Sequence, residues 1–179
     1  MSVERKSEDV ESTPWDFFVE IQQEYSDAYI WETFWLTNRF LFRDSKGNLL
    51  WYIRAFIERR ENAWRTGKET IVSLVDIVSS YAYGKHMTPG METYFLENGY
   101  VPGISRAAFG VKMMEYVLMH VREQYPEVKI VVVNSLEANE SHVWQLIEQV
   151  KLATGDLITQ VSWGWEMSMA TLFLNQDTT

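Results

Sequence analysis

The chain has 179 residues, with 25 Asp and Glu against 16 Lys and Arg, which gives a formal net charge of -9. A surface of that sign repels phosphate, so generic binding of nucleic acid is not expected. The sequence has no cysteine, which excludes disulfides, thiolate metal sites and a cysteine nucleophile. It has no apolar run of the roughly 20 residues that cross a bilayer and no secretory signal, so we expect a cytoplasmic protein without membrane contact.

The length suits a single domain with a substantial core. Met1–Ser12 is charged and lacks aromatic side chains, which predicts a mobile N-terminal tail, and residues 13–179 are expected to form the domain. Thr13 and Pro14 supply a cap and a first-turn proline, which predict a helix after them. Its apolar positions would be Phe17, Phe18, Ile21 and Tyr25.

Two β-favouring runs flank a turn-forming segment in the next part of the chain. Residues 39–43 and 49–56 are rich in aromatic and branched side chains, and residues 44–48, Asp-Ser-Lys-Gly-Asn, have the composition of a hairpin turn. The mixed charges of residues 58–62 are typical of a solvated surface run. Residues 71–83 fit both a strand and a helical stripe, and their branched side chains favour the strand.

The second half of the chain alternates between strand-like and helix-like patterns. Residues 93–101 are predicted to be a strand, and residues 105–124 a helix that Pro126 ends. The branched run at residues 128–133 predicts a buried strand. Alternation after Leu157 predicts a further strand, and residues 167–174 either extend it or pair back on it. Between these strands Asn139 can cap a helix. The apolar stripe of that helix is Val143, Leu146, Ile147 and Val150.

This order of elements predicts an α/β (α+β) domain with a mixed, partly open sheet flanked by helices. Residues 92–101 and 128–134 are predicted to be parallel neighbours, because the helix between them has the length of a crossover connection. The helix after Asn139 would cover the same sheet.

Residues 101–114 resemble the acyl-CoA-binding motif of the GCN5-related N-acetyltransferase (GNAT) superfamily. In that family a strand ending in Val-x-Pro precedes Arg/Gln-x-x-Gly-x-Gly/Ala, which opens a helix that carries a pair of large aliphatic residues. Here Arg106 falls on the Arg/Gln position, and residues 113–114, Met-Met, lie close to the aliphatic pair. Phe109 and Val111 fall on the two small-residue positions, and Gly110 is one place away.

The resemblance implies a GNAT-like N-acyltransferase that moves an acetyl or other acyl group from acetyl-CoA to an amine on a small molecule or a protein. A carboxylate on the preceding strand would act as general base, and Glu97 and Glu92 are the candidates; solvated surface carboxylates are the alternative interpretation. No metal site is expected. The residues that the resemblance assigns to the cofactor are Val101, Arg106, Ala107, Ala108, Phe109, Gly110, Val111 and Asn139.

The departures from the family pattern leave a second function open. Leu146 stands where the family often carries a tyrosine that protonates the departing CoA thiolate, and Phe109 could obstruct the approach of pyrophosphate. A protein that keeps the fold but has lost the chemistry would bind, regulate or assemble. Small acetyltransferase-like proteins with eroded motifs are familiar in bacteriophages, some of them virion-associated. This alternative includes a homo-oligomer or an assembly partner.

Overall fold

The computed structural model describes residues 3–7, 11–12, 17–28, 33–61, 68–79, 89–99, 110–134, 140–164 and 169–175. Over these residues the fold is α+β, with one mixed, mostly antiparallel sheet and helices on both of its faces. The elements of the described residues are, in chain order, β1 (Val3–Ser7), β2 (Glu11–Ser12), β3 (Phe18–Ala28), β4 (Thr33–Arg43), β5 (Leu49–Glu61), β6 (Lys68–Ser79), α1 (Pro89–Glu97), α2 (Gly110–Gln124), β7 (Ile130–Asn134), α3 (Glu140–Thr154), β8 (Ile158–Trp163) and β9 (Met169–Leu174).

The described strands form a single sheet in the order β1-β3-β4-β5-β6-β7-β9-β8, and β2 also pairs with β3. Strands β3 to β6 form an antiparallel meander. Strands β7, β9 and β8 form a second antiparallel group. The two groups meet where β6 pairs with β7, in parallel orientation. We call this pairing the parallel junction; it joins residues 72–74 to residues 131–133.

The main core lies between one face of the sheet and the two helices α2 and α3. Because side chains alternate along a strand, Val19 and Ile21 are buried on this face and Glu20 points to the other. Each apolar side chain that is fully buried in this way contributes roughly 1.5–3 kcal/mol. The helices contribute Met113, Met114, Val117, Leu118 and Val121 from α2, and Ile147 and Val150 from α3.

Helices α2 and α3 share this face for a topological reason. The connection from β6 to the parallel strand β7 contains α1 and then α2, and α2 is the helix that leads into β7. Helix α3 connects β7 to β8, and these two strands are also parallel because β9 is antiparallel to both. Both connections advance in the same direction across the sheet, and such crossovers are almost always right-handed, so both helices come to lie on one face.

Helix α1 covers part of the opposite face. Its Phe95 is 1% exposed and packs with Leu41, Leu49 and Tyr52 in a second, smaller core. The rings of Phe95 and Tyr52 lie 4.8 Å apart in an edge-to-face arrangement. Tyr94 adds a hydrogen bond of 2.7 Å from its hydroxyl to Oε1 of Gln22 on β3. The helix is therefore held to the sheet by both apolar and polar contacts.

Arg43 on β4 joins the end of α1 to the β4–β5 turn. Its Nη2 lies 3.4 Å from Oε1 of Glu20, and its Nη1 donates to the backbone oxygens of Asn98 and, at 3.2 Å, of Gly47. Leu49 N–H donates to the Gly99 oxygen at 2.9 Å, directly beside this group. One guanidinium thus connects three segments that are far apart in sequence.

Several sequence predictions are confirmed. The hairpin around residues 44–48 forms as β4 and β5. Of the strand predicted at residues 71–83, residues 71–79 belong to β6, which begins at Lys68, and residues 80–83 lie outside the described residues. The strand at residues 128–133 corresponds to β7, and β9 pairs back on β8. The helix predicted at residues 105–124 contains α2, its first five residues lying outside the described part of the chain. Helix α3 follows Asn139 and buries Ile147 and Val150, with Leu146 half-buried.

The N-terminal segment differs from the prediction. The segment predicted to be helical is a strand: residues 18–25 belong to β3, and Phe17 lies just before it. Val19 and Ile21 fill the core at a spacing of two, and β4 pairs along the whole strand. Residues 3–7 and 11–12 of the predicted mobile tail are the strands β1 and β2, which pair with β3. In that register Arg5 lies opposite Glu24.

The predicted strand at residues 92–101 is also wrong. Pro89–Glu97 is the helix α1, with proline at its first position and Gly99 just beyond its end at a φ of 86°. This is the usual placement of proline and glycine around a helix. The predicted parallel pairing of residues 92–101 with residues 128–134 is therefore wrong as well, and the parallel neighbour of β7 is β6.

Candidate functional site

The parallel junction is only three residue pairs long. Strand β6 continues beyond it to Ser79, paired with β5, whereas β7 ends at Asn134. Within the described residues, β6 after Leu74 has a neighbouring strand only on its β5 side. Ligands of sheets with parallel strands bind outside the carboxyl ends of those strands. The carboxyl end of the parallel junction is therefore the candidate site.

The first turn of α2 lies at this end of the sheet. A Cβ atom placed on Gly110, the first residue of α2, would lie 3.4 Å from Cδ1 of Leu146 on α3 and 3.9 Å from Cζ2 of Trp51 on β5. Trp51 is the cross-strand partner of Ser79, the last residue of β6. The start of α2 is thus packed between α3 and the carboxyl end of β6. The first turn of a helix presents backbone N–H groups and a partial positive charge, which suit an anionic ligand.

The side chains that contact this helix start are apolar. Trp51 is 5% exposed, and Leu146 and Val111 are half-buried. These side chains position the helix and exclude water, but they neither donate nor accept a proton. At Gly110 a Cβ atom would make ordinary van der Waals contacts with Leu146 and Trp51, so this position packs closely against both side chains. The side chains nearest Gly110, Trp51 and Leu146, therefore suit binding and supply no acid or base.

The structure separates the predicted catalytic residues from the helix start. Glu92 and Glu97 are exposed on α1, which packs on the opposite face of the sheet from α2. They do not lie on a strand that precedes the motif, and their exposure is that of surface carboxylates. Of the predicted cofactor residues, the structure describes Gly110 and Val111, which begin α2. The others lie outside the described residues: Val101, Arg106, Ala107, Ala108, Phe109 and Asn139.

Trp51 and the carboxyl end of β6 are the parts of this site that sequence reasoning did not assign. The signal for β6 is the branched side chains of residues 71–83, and residues 71–79 of that predicted strand belong to β6. Trp51 reaches the helix start through strand pairing across β5 and β6, and a single sequence does not contain that register.

Comparison of the chain with protein families, with curated proteins and with solved structures finds no match. Among the described residues no group of three or more His, Asp or Glu side chains is arranged to hold a metal ion. In the same part of the chain no helix combines the length and the apolar character needed to span a membrane. The function is therefore argued from the fold and the site.

Proposed function

We propose that the protein binds acyl-CoA at the carboxyl end of the parallel junction, with the pyrophosphate on the first turn of α2, and transfers the acyl group to an amine. One observation carries this proposal: among the described strands the one parallel pair, β6 and β7, ends beside the N-terminus of α2, the helix that leads into β7. The sequence of elements is similar to that of GCN5-related N-acetyltransferases, with β6 in place of the strand first assigned to residues 92–101.

A shift of the family motif by one residue supports the proposal. Because α2 begins at Gly110, we place the last small-residue position there. Ala108 then falls on the other small-residue position, and Ser105 on the Arg/Gln position. In this register Phe109 stands between the small residues, where the motif accepts any side chain. The aliphatic pair is supplied by residues 113–114, two methionines that are 1% and 0% exposed.

Acyl transfer needs a neutral amine to attack the thioester carbonyl, followed by departure of the CoA thiolate with a proton. In the proposed enzyme, backbone N–H groups at the start of α2 bind the pyrophosphate, and Trp51 and Leu146 form an apolar wall beside them.

That wall favours a second candidate function, a catalytically inactive GNAT-fold protein that binds acyl-CoA and works as a regulatory or assembly component. Its specific support is Leu146, which occupies the place of the family's proton donor.

Calorimetric titration with acetyl-CoA tests the binding step. Lys112→Glu reverses an exposed charge in the first turn of α2, and Lys129→Glu makes the same change just before β7, at the amino end of the junction. We expect Lys112→Glu to weaken binding about tenfold through repulsion of the pyrophosphate, and Lys129→Glu to leave it unchanged. Absence of binding at millimolar acetyl-CoA, or equal weakening by both variants, would overturn the proposed site.

Release of free CoA thiol separates the two functions. The chain has no cysteine, so a thiol reagent reports CoA alone. With saturating acetyl-CoA and a panel of small amines and a lysine peptide, thiol release above the rate without protein supports the transferase. If acetyl-CoA binds tightly but none of the amines causes thiol release above the rate without protein, the result supports the binding protein instead.

A further inference from the structure

The two edges of the sheet differ in charge. Strand β1 reads Val-Glu-Arg-Lys-Ser and has three charged residues in five, whereas β8 reads Ile-Thr-Gln-Val-Ser-Trp and has none. Exposed edge strands of soluble proteins usually carry charges, proline or a disruptive bulge, which prevent pairing with another chain. One edge of this sheet has that protection in its sequence, and the other does not.

Strand β8 has a regular backbone over most of its length. It pairs with β9, and within the described residues no strand lies on its other side. The one irregularity lies near its start, between Ile158 and Gln160, and residues 160–163 pair in continuous register with β9. Gln160 and Ser162 have exposed side chains, whereas Val161 is half-buried. The outer edge therefore offers several consecutive backbone groups and no side-chain charge.

We propose that β8 pairs antiparallel with β8 of a second copy of the chain, about a two-fold axis, so that the sheet continues through the dimer. A chain with a net charge of -9 repels a second copy of itself, and β8 adds no charged side chain to that repulsion. Identical uncharged strands are self-complementary in antiparallel pairing. Pairing of β8 with β1 instead would be heterologous and would extend into an open filament, whereas β8 with β8 closes at two copies.

Helix α3, which leads directly into β8, also has uncharged residues on its solvent-exposed side. Gln145, Gln149 and Leu152 have exposed side chains at helical spacing, on the side of α3 away from its buried residues. Leu152 is 83% exposed, the highest value among the large apolar side chains of the described residues. These three residues carry no charge.

Sedimentation analysis of the intact chain tests the dimer. We expect a species of twice the 21.1 kDa chain mass at micromolar concentration. Gln160→Lys combined with Ser162→Lys places like charges opposite each other across the axis, which destabilises antiparallel pairing, and should raise the dissociation constant at least tenfold. Gln124→Lys combined with Ser45→Lys is the matched control, with the same residue types, exposed positions and charge change away from β8. A monomeric wild type, or a dimer equally stable in both variants, overturns the proposal.

Cysteine crosslinking gives a second readout that does not depend on the folding of the lysine variant. Because the chain lacks cysteine, a single Gln160→Cys, Val161→Cys or Ser162→Cys substitution reports contact between copies without background. Directly opposed residues of antiparallel strands have Cβ atoms roughly 4.5–5.5 Å apart, close to disulfide range. We expect at least one of these variants to crosslink faster than Ser45→Cys under mild oxidation. Crosslinking no faster than the Ser45→Cys control at all three positions overturns the proposal.

Discussion

Truncation of Arg43 measures how strongly α1 is fastened to the sheet, and Arg39 provides a close control. Both arginines lie on the same face of β4, and each forms an ion pair with a glutamate of β3: Arg43 with Glu20 at 3.4 Å and Arg39 with Glu24 at 3.3 Å. Their exposures are similar, at 15% and 20%. Only Arg43 also donates to the backbone oxygens of Asn98 and Gly47.

The difference between the two truncations isolates these backbone contacts. A partly exposed ion pair contributes about 0.2–1 kcal/mol, so Arg39→Ala should lower the free energy of unfolding by no more than that. Arg39 also lies directly opposite Arg54, and its removal relieves a like-charge contact. Hydrogen bonds to a charged donor contribute roughly 1.5–3 kcal/mol each. Allowing for partial exposure and non-additivity, we expect Arg43→Ala to cost about 2–4 kcal/mol.

Urea unfolding followed by circular dichroism resolves this difference. For a chain of this size each kcal/mol shifts the midpoint of thermal unfolding by about 2–4 °C, so a thermal scan provides an independent measure. Arg43→Lys should recover only part of the loss, because an ammonium group lacks the planar geometry that reaches several acceptors at once. Equal losses for Arg43→Ala and Arg39→Ala would refute the reasoning, since they would mean that the contacts to the end of α1 add nothing.

Three further substitutions test other contacts. Gly99→Ala should lower the free energy of unfolding by about 2–3 kcal/mol, because its φ of 86° is strained for alanine and a Cβ would lie 3.2 Å from a backbone oxygen. Gly155→Ala is the control: no atom lies within 4 Å of its Cβ position, so it should cost only about 1 kcal/mol, and the denaturant midpoints of the two variants compare them. Ile147→Ala removes a fully buried side chain of α3 and should cost about 2–5 kcal/mol, against less than about 0.5 kcal/mol for the exposed Leu152→Ala, and equal effects would contradict the packing of this helix. Arg106→Ala distinguishes the two registers of the motif: with Arg106 on the Arg/Gln position it should weaken acetyl-CoA binding about ten- to a hundredfold, with partial recovery in Arg106→Lys. In the register shifted by one residue Arg106 has no phosphate contact, and a calorimetric titration should find its affinity unchanged.

The sequence predicts elements where a single local signal dominates. The hairpin follows from an Asp-Ser-Lys-Gly-Asn turn between two apolar runs, and the buried β7 follows from four consecutive branched residues. Helix α1 is harder to predict from the sequence, because its aromatic residues locally favour a strand. The packing of Phe95 against Tyr52 in the folded protein stabilises the helix instead. Strand β3 is misread because apolar residues at positions 17, 18, 21 and 25 imitate helical spacing.

The candidate site is less predictable than the elements that form it. A motif resemblance directed attention to the start of α2, and Gly110 lies there. The sequence predicts that the strand before the motif is residues 92–101, which would put Glu92 and Glu97 beside the motif. In the structure that strand is β6, and Glu92 and Glu97 lie on α1 on the opposite face of the sheet. Strand order and the register that brings Trp51 to Gly110 depend on tertiary pairing between distant segments, and no local pattern encodes them.

The short parallel junction has a consequence for the order in which the chain folds. The meander from β3 to β6 forms through hairpins between neighbouring strands, but pairing residues 72–74 with residues 131–133 closes a far longer loop. That closure costs about 2 kcal/mol more than closing a five-residue turn, and three residue pairs offer little to offset it. We therefore expect the junction to form after the folding transition state, with φ-values near zero for Val131→Ala and clearly higher values for substitutions of Phe40. Equal φ-values at the two positions would show that both halves of the sheet assemble together.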